Sequence, residues 1–209
     1  MTHKTNNKTK TENVYEQLED MIIFCKIEPG SIFTENEITE LIKAGRTPVR
    51  EALRELAKEY LVVLSRVGVL IPDLSATTQL RVLEVRHSTL SLCVKCTIKR
   101  CTELDKQNIQ QLLSRIDNQN NIEFLYWLKE RHKVLAQASK NSFIYEQLKS
   151  VQGLSHRYWY YYAKEEDHIQ GKKLHKEILQ AILELDTDKA LKCVDNLIVY
   201  LESFIKRNL

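Results

Sequence analysis

The sequence predicts a mostly α protein in two parts: a small three-helix unit closed by a β-hairpin, then a longer all-α helical bundle. Three observations predict it. Only five Gly and three Pro occur in 209 residues, too few for an all-β chain, which needs turn signals about every eight to twelve residues. Apolar residues recur at helical spacing through most of the length. The texture also changes after Pro72-Asp73-Leu74-Ser75, beyond which there is no proline and only Gly153 and Gly171 interrupt the pattern. The expected division is a flexible polar tail over 1–13, a first domain over 14–75 and a helical domain over 76–209.

The elements follow in order. Over 14–25, Val14, Leu18, Met21, Ile22 and Cys25 form the apolar face of a first helix, which Glu28-Pro29-Gly30 stops. Thr34 opens a capping box with Glu37, and Ile38, Leu41 and Ile42 supply the apolar face of a second short helix. Lys43-Ala44-Gly45 is the turn. Pro48 suits the first turn of a third helix, where an N–H has no partner in any case. Val49, Ala52, Leu53 and Leu56 are its buried stripe, ending near Tyr60. Two β-type runs, Leu61 to Leu64 and Val69 to Ile71, are joined by Ser65-Arg66-Val67-Gly68, with Gly68 free to take a positive φ. Three helices and a hairpin in this order make a winged helix-turn-helix. Further helices are predicted near 77–100, 103–117, 121–139, 141–163, 167–184 and 187–207. Thr102, backed by Asp105, Asn141, and either Asp186 or Thr187 are the N-cap candidates.

Composition excludes several classes. No run approaches ~18 uninterrupted apolar residues, so no membrane span is expected. Met1 to Thr11 is polar and has no signal-peptide core. Five cysteines, an odd number in a chain of this length, argue against a disulfide framework and for a reducing cytoplasm. Cys93, Cys96 and Cys101 lack the second ligand pair that a structural zinc site requires and read as ordinary thiols. The formal charge is +3, but residues 1–75 carry ten Lys/Arg against twelve Asp/Glu. Any nucleic-acid contact by the first domain must therefore come from a local basic face.

The run from Phe33 to Leu56, and above all Arg46-Thr47-Pro48-Val49-Arg50-Glu51-Ala52-Leu53-Arg54, closely resembles the DNA-binding domain of the GntR family of bacterial regulators. His132 to Asn141 resembles the F-H-x-x-L-A-x-A-S-x-N segment of the FadR-type, FCD-like C-terminal domain, with Arg131 in place of the Phe. Leu174-His175-Lys176-Glu177-Ile178 is similar to its later E-H-x-x-I segment, with Leu174 for the Glu. The resemblance implies a cytoplasmic, homodimeric regulator of transcription, a repressor by default, acting on a double-stranded operator without catalysis or a membrane.

It also implies the residues. Arg46, Thr47 and Arg50 would read bases or phosphates from the third helix, supported by Pro48 and Gly45. Thr34, Glu35 and Asn36 would flank them from the second helix, and Arg66 and Gly68 from the wing. Arg54, read from its neighbours alone, is expected to pair locally with Glu51 or Glu55. Asn36 stands where the family usually has Arg, Gly45 where it has Ser or Thr, and Tyr60 where it has Gly. In the bundle, many relatives hold a divalent metal through an Asp and three His. Here His132 and His175 match two positions, while Leu128 and Leu197 occupy the other two, so the shell is incomplete and no cofactor is expected. Together with Arg86, which could pair with an effector carboxylate, these residues mark the expected pocket for an organic effector. The competing readings are a regulator answering to a metal or a protein partner, and a metal-dependent helical-bundle enzyme.

Overall fold

The protein, as a computed structural model, is described over residues 9–209, which form two compact units separated in the chain between Leu74 and Ser75. The first contains α1 (Lys10–Ile23), β1 (Ile32–Phe33), α2 (Glu35–Ile42), α3 (Arg46–Lys58), β2 (Val63–Leu64) and β3 (Val69–Leu70). α1 starts earlier than expected because Thr9 and Glu12 form a capping box, Thr9 Oγ1 accepting from the Glu12 N–H at 3.1 Å and Glu12 accepting from the Thr9 N–H at 2.7 Å. The tail expected over 1–13 is corrected to that extent, and residues 1–8 lie outside the described residues.

Val14, Leu18 and Ile22 of α1 pack with Ile38 of α2 and with Val49, Ala52, Leu53 and Leu56 of α3, all essentially without solvent contact. Truncating one of these leucines costs about 2–5 kcal/mol. Two expected core positions are corrected. Met21 and Cys25 are only half-buried while Ile23 and Phe24 are buried, and Leu41 is exposed, because the short α2 turns just one residue, Ile38, fully inward.

The wing has a strand that periodicity does not reveal, since two residues carry no period. β1 pairs antiparallel with β3, which pairs antiparallel with β2, in the order β1-β3-β2. Two residues beyond α3 stands Tyr60, whose φ of +59° is left-handed. The Tyr60 N–H reaches the Ala57 carbonyl and the Leu61 N–H the Leu56 carbonyl, so the chain reverses and delivers Leu61 and Val62 to the core.

The second unit comprises α4 (Ala76–Arg100), α5 (Glu103–Arg115), a 3-10 turn (Ile116–Asn118), α6 (Asn121–Ala138), α7 (Ser142–Tyr162), α8 (Glu165–Leu183) and α9 (Thr187–Arg207). α4 packs against α6, α7 and α9, and α8 against α5 and α9. The caps specify the breaks between helices. Thr102, Asn120, Asn141 and Asp186 each accept an N–H of the first turn that follows. α8 begins at Glu165, two residues early, because Asp167 accepts from the Lys164 N–H, the Tyr200 hydroxyl and Arg207. No helix among the described residues is long and apolar enough to cross a membrane.

Candidate functional site

The first candidate surface is the tip of α3. Gly45 is its N-cap but offers no side-chain acceptor, so the Arg46 and Thr47 N–H groups of the first turn have no cap. Pro48 has no N–H to satisfy. Arg46, Thr47 and Arg50 are all exposed. Arg50 Nε donates to Glu35 Oε2 at 2.6 Å, which ties the first turn of α2 to the first turns of α3 and leaves the two Nη groups without a partner among the described residues. Arg50 thus pairs across to α2 and not with the acids of its own helix. Thr34 commits its hydroxyl to the cap with Glu37, whose carboxyl the Thr34 backbone N–H holds below the usual range. Asn36 is exposed one residue beyond Glu35. The pairing expected for Arg54 is not seen, since Glu55 holds Lys58 at 2.7 Å and Glu51 accepts from Thr11 at 2.7 Å.

In the wing, Arg66 is exposed at the turn between β2 and β3. Gly68 has a φ of +141°, and a Cβ there would stand 2.5 Å from the Phe33 carbonyl oxygen. The close approach that requires glycine is therefore made by β1 of the same unit.

The second candidate site lies inside the bundle. Gln79, Leu83 and Arg86 of α4, Phe124 and Leu128 of α6, Ser155, His156, Tyr158 and Trp159 of α7, Gly171 and His175 of α8 and Leu197, Leu201, Phe204 and Ile205 of α9 line one cavity. The cavity is small, about 30 Å³. Gly171 lets α8 pack closely here: a Cβ would come within 3.1 Å of the Trp159 ring, which would have to shift to admit it. Of the expected pocket residues, Arg86, Leu128, His175 and Leu197 line the cavity. His132 stands outside the lining, its Nδ1 2.9 Å from Gln152 Oε1.

Sequence reasoning missed Arg131 as a site residue. It is fully buried, and its Nη1 lies 2.8 Å from His175 Nδ1. Arginine cannot accept a hydrogen bond, so His175 accepts at Nδ1 and carries its proton on Nε2. A signal was present: Phe124, Leu128, Arg131 and Leu135 fall at i, i+4, i+7 and i+11, one face of α6. Arg86 sits the same way between Leu83 and Leu90 on α4. Burial lowers Arg86 to about 10. Burial, then the neighbouring Arg86 charge, lowers Arg131 to about 9. Both remain cationic at neutral pH. The same burial, reinforced by both guanidiniums, depresses His132, His156 and His175 well below the ordinary histidine value, so all three are neutral.

This donor set does not fit a metal. Two of the four expected ligand positions are the buried Leu128 and Leu197, and no three His, Cys, Asp or Glu side chains converge among the described residues. His175 accepts from Arg131 at Nδ1, so its Nε2 is protonated and offers no lone pair to a metal, and two fixed cations repel a third. Cys93 is buried, its thiol pushed up to about 12 by burial. Within the aromatic run, Tyr158 and Trp159 turn inward while Tyr160 and Tyr161 face outward.

Residues 10–71 match the model of the family described as "Bacterial regulatory proteins, gntR family", and residues 81–199 match that of the FCD domain. An uncharacterized HTH-type transcriptional regulator of Streptomyces ambofaciens is 38% identical over 31% of this chain and 28% of its own length. The gluconate operon transcriptional repressor of Bacillus subtilis is 30% identical over 53% of this chain and 44% of its own. The chain thus spans less than half the length of either relative. Among solved structures, E. coli McbR/YncC superposes with a TM-score of 0.78 at 16% identity, over 96% of this chain and 99% of that one, a likeness of fold.

Proposed function

Because this chain belongs to the GntR family of bacterial regulators and carries an FCD domain, we propose that it is a sequence-specific transcriptional repressor whose bundle answers to a small organic effector. The observation that carries the reading is the tip of α3, where Arg46, Thr47 and Arg50 project together and the Arg50 fork is restrained by Glu35. Such a fork matches guanine O6 and N7 in a major groove, at about 1–3 kcal/mol of discrimination per pair. Arg66 on the wing adds a cation for the adjacent backbone, and the uncapped N–H groups behind Gly45 suit a phosphate. Asn36 and Gly68 flank the contact, Gly68 by shaping the wing.

The protein acts as a homodimer on a pseudo-palindromic duplex, matching two-fold protein symmetry to two half-sites. The effector occupies the bundle cavity and works by binding one conformation more tightly than another. No catalytic role is assigned. The test starts from duplexes selected out of a random pool by the full chain. Arg46→Ala and Arg50→Ala are expected to lose binding to the selected duplex while remaining folded dimers. If both variants bind it as well as the parent, α3 is not the reading head.

A further inference from the structure

The bundle cavity is lined by a buried guanidinium and several polar groups but by no carboxylate. Arg86 Nε, Ser155 Oγ, Tyr158 Oη and both ring nitrogens of His156 are buried with no hydrogen-bond partner. Four residues that line the cavity therefore carry unanswered polar atoms. Behind His175, Arg131 leaves Nε and Nη2 unanswered as well. Carboxylate compensation is missing: no Asp or Glu acts on either guanidinium. Asp167, the one carboxylate buried in this unit, is committed to Arg207 and Tyr200.

Two uncompensated cations in an apolar interior are costly unless something negative joins them. A structural arginine brings its acid with it, and these two do not. The three neutral histidines add no countercharge, and His175, with its proton on Nε2, adds a donor. Leucine at 128 and 197 removes the oxygen and imidazole that a metal shell would need, while Arg131 supplies fixed positive charge to the same neighbourhood.

Resting on the reading of the bundle as an effector domain, we propose that this cavity is a metal-independent receptor for a small organic anion carrying two negative charges. Arg86 meets one anionic group directly, with Ser155, His156 and Tyr158 completing its shell. Arg131 balances the second charge through His175. Leu83, Leu128 and Leu201 enclose the apolar part of the molecule. As the side chains stand, the interior has room for only about two waters, so the ligand is compact and its entry spreads the helices. That movement links occupancy to the rest of the chain.

The experiment uses the full chain in thermal melts with EDTA present, against succinate, inorganic phosphate, succinamide and sodium chloride of matched ionic strength. Succinate or phosphate at saturation is expected to raise the melting temperature by about 5–10 °C, with shifts under about 1 °C from succinamide and chloride. A response to succinate alone assigns a dicarboxylate, and a response to phosphate alone assigns a phosphorylated ligand. Arg131→Met is expected to melt above the parent in the absence of anion, because it removes a buried unpaired charge, and to lose the shift. Arg86→Met is expected to lose the shift too. The inference is overturned if neither dianion exceeds matched salt, if the shift requires metal, or if Arg131→Met keeps the shift or destabilises the free protein. Binding of the same preparations to the selected duplex is read in parallel, so a missing anion response with intact duplex binding sinks this inference alone.

Discussion

Removing a negative charge from a DNA-binding surface ordinarily strengthens binding, and Glu35→Ala is expected to break that rule for the cognate duplex. Glu35 Oε2 holds Arg50 Nε at 2.6 Å, with the two side chains 45% and 59% exposed. An exposed pair of this kind contributes about 0–1 kcal/mol to folding, so the variant keeps its stability within that margin. Its larger effect is on order. Immobilising a long side chain at an interface costs about 0.5–1.5 kcal/mol. In the parent protein part of that cost is already met before DNA arrives, because the bond to Nε restrains the guanidinium. With alanine at 35 that part falls on binding, which weakens affinity for the selected duplex by up to about twelvefold.

Non-specific binding moves the other way. It depends on net charge near the phosphates, and losing one carboxylate strengthens it at low salt. The assay is fluorescence anisotropy at one fixed salt concentration, with the selected duplex and a scrambled duplex, on parent and variant. The ratio of the two affinities is expected to fall. A ratio that is unchanged or higher refutes the claim that Glu35 orients Arg50 for readout.

Two further outcomes follow from the same geometry. Tyr60→Gly relieves a left-handed tyrosine at the C-terminal end of α3 and is expected to raise stability by about 0.5–1 kcal/mol, read as a higher urea midpoint at unchanged slope. His132, His156 and His175 are held neutral by burial, so below pH ~6.5 the unfolded chain takes up protons that the folded chain refuses. Stability is therefore whole above that pH and is lost as pH falls, by as much as about 1.4 kcal/mol per pH unit for each histidine; urea titrations at pH 7.5, 6.5 and 5.5 that superpose would show that these rings are not buried neutral.

Helix positions were legible because they are written locally. Thr34 with Glu37, Thr102 with Asp105, and the side chains of Asn141 and Asp186 each satisfy N–H groups within three residues, so the signal needs no knowledge of the tertiary fold. The same logic found the α3 tip, which is one contiguous string. Less local features were not legible. The two-residue β1 has its hydrogen-bond partners in β3, some 37 residues away, and its existence explains why position 68 is glycine. Arg50 likewise reaches 15 residues back to Glu35 rather than to the acids of its own helix. Gly171 reads in sequence as an interruption, but its meaning is the face of Trp159 from another helix.

The bundle interior shows the same divide in its chemistry. The periodicity of α4 and α6 places Arg86 and Arg131 on inward faces, which is a local fact, but whether an inward arginine is structural depends on the acids around it, which is not. In most folds the answer is a nearby carboxylate, and then the arginine is part of the scaffold. Here α6, α7, α8 and α9 bring histidines, hydroxyls and apolar side chains to the cavity, and no carboxylate. Leu128, Leu197 and Arg131, three separate departures from the pattern of the family, therefore act on one quantity, the charge at the centre of the bundle. The first two take away the means of binding a cation, and the third makes the cavity repel one. A site altered in all three ways keeps its place in the fold while its preference passes from metal to anion.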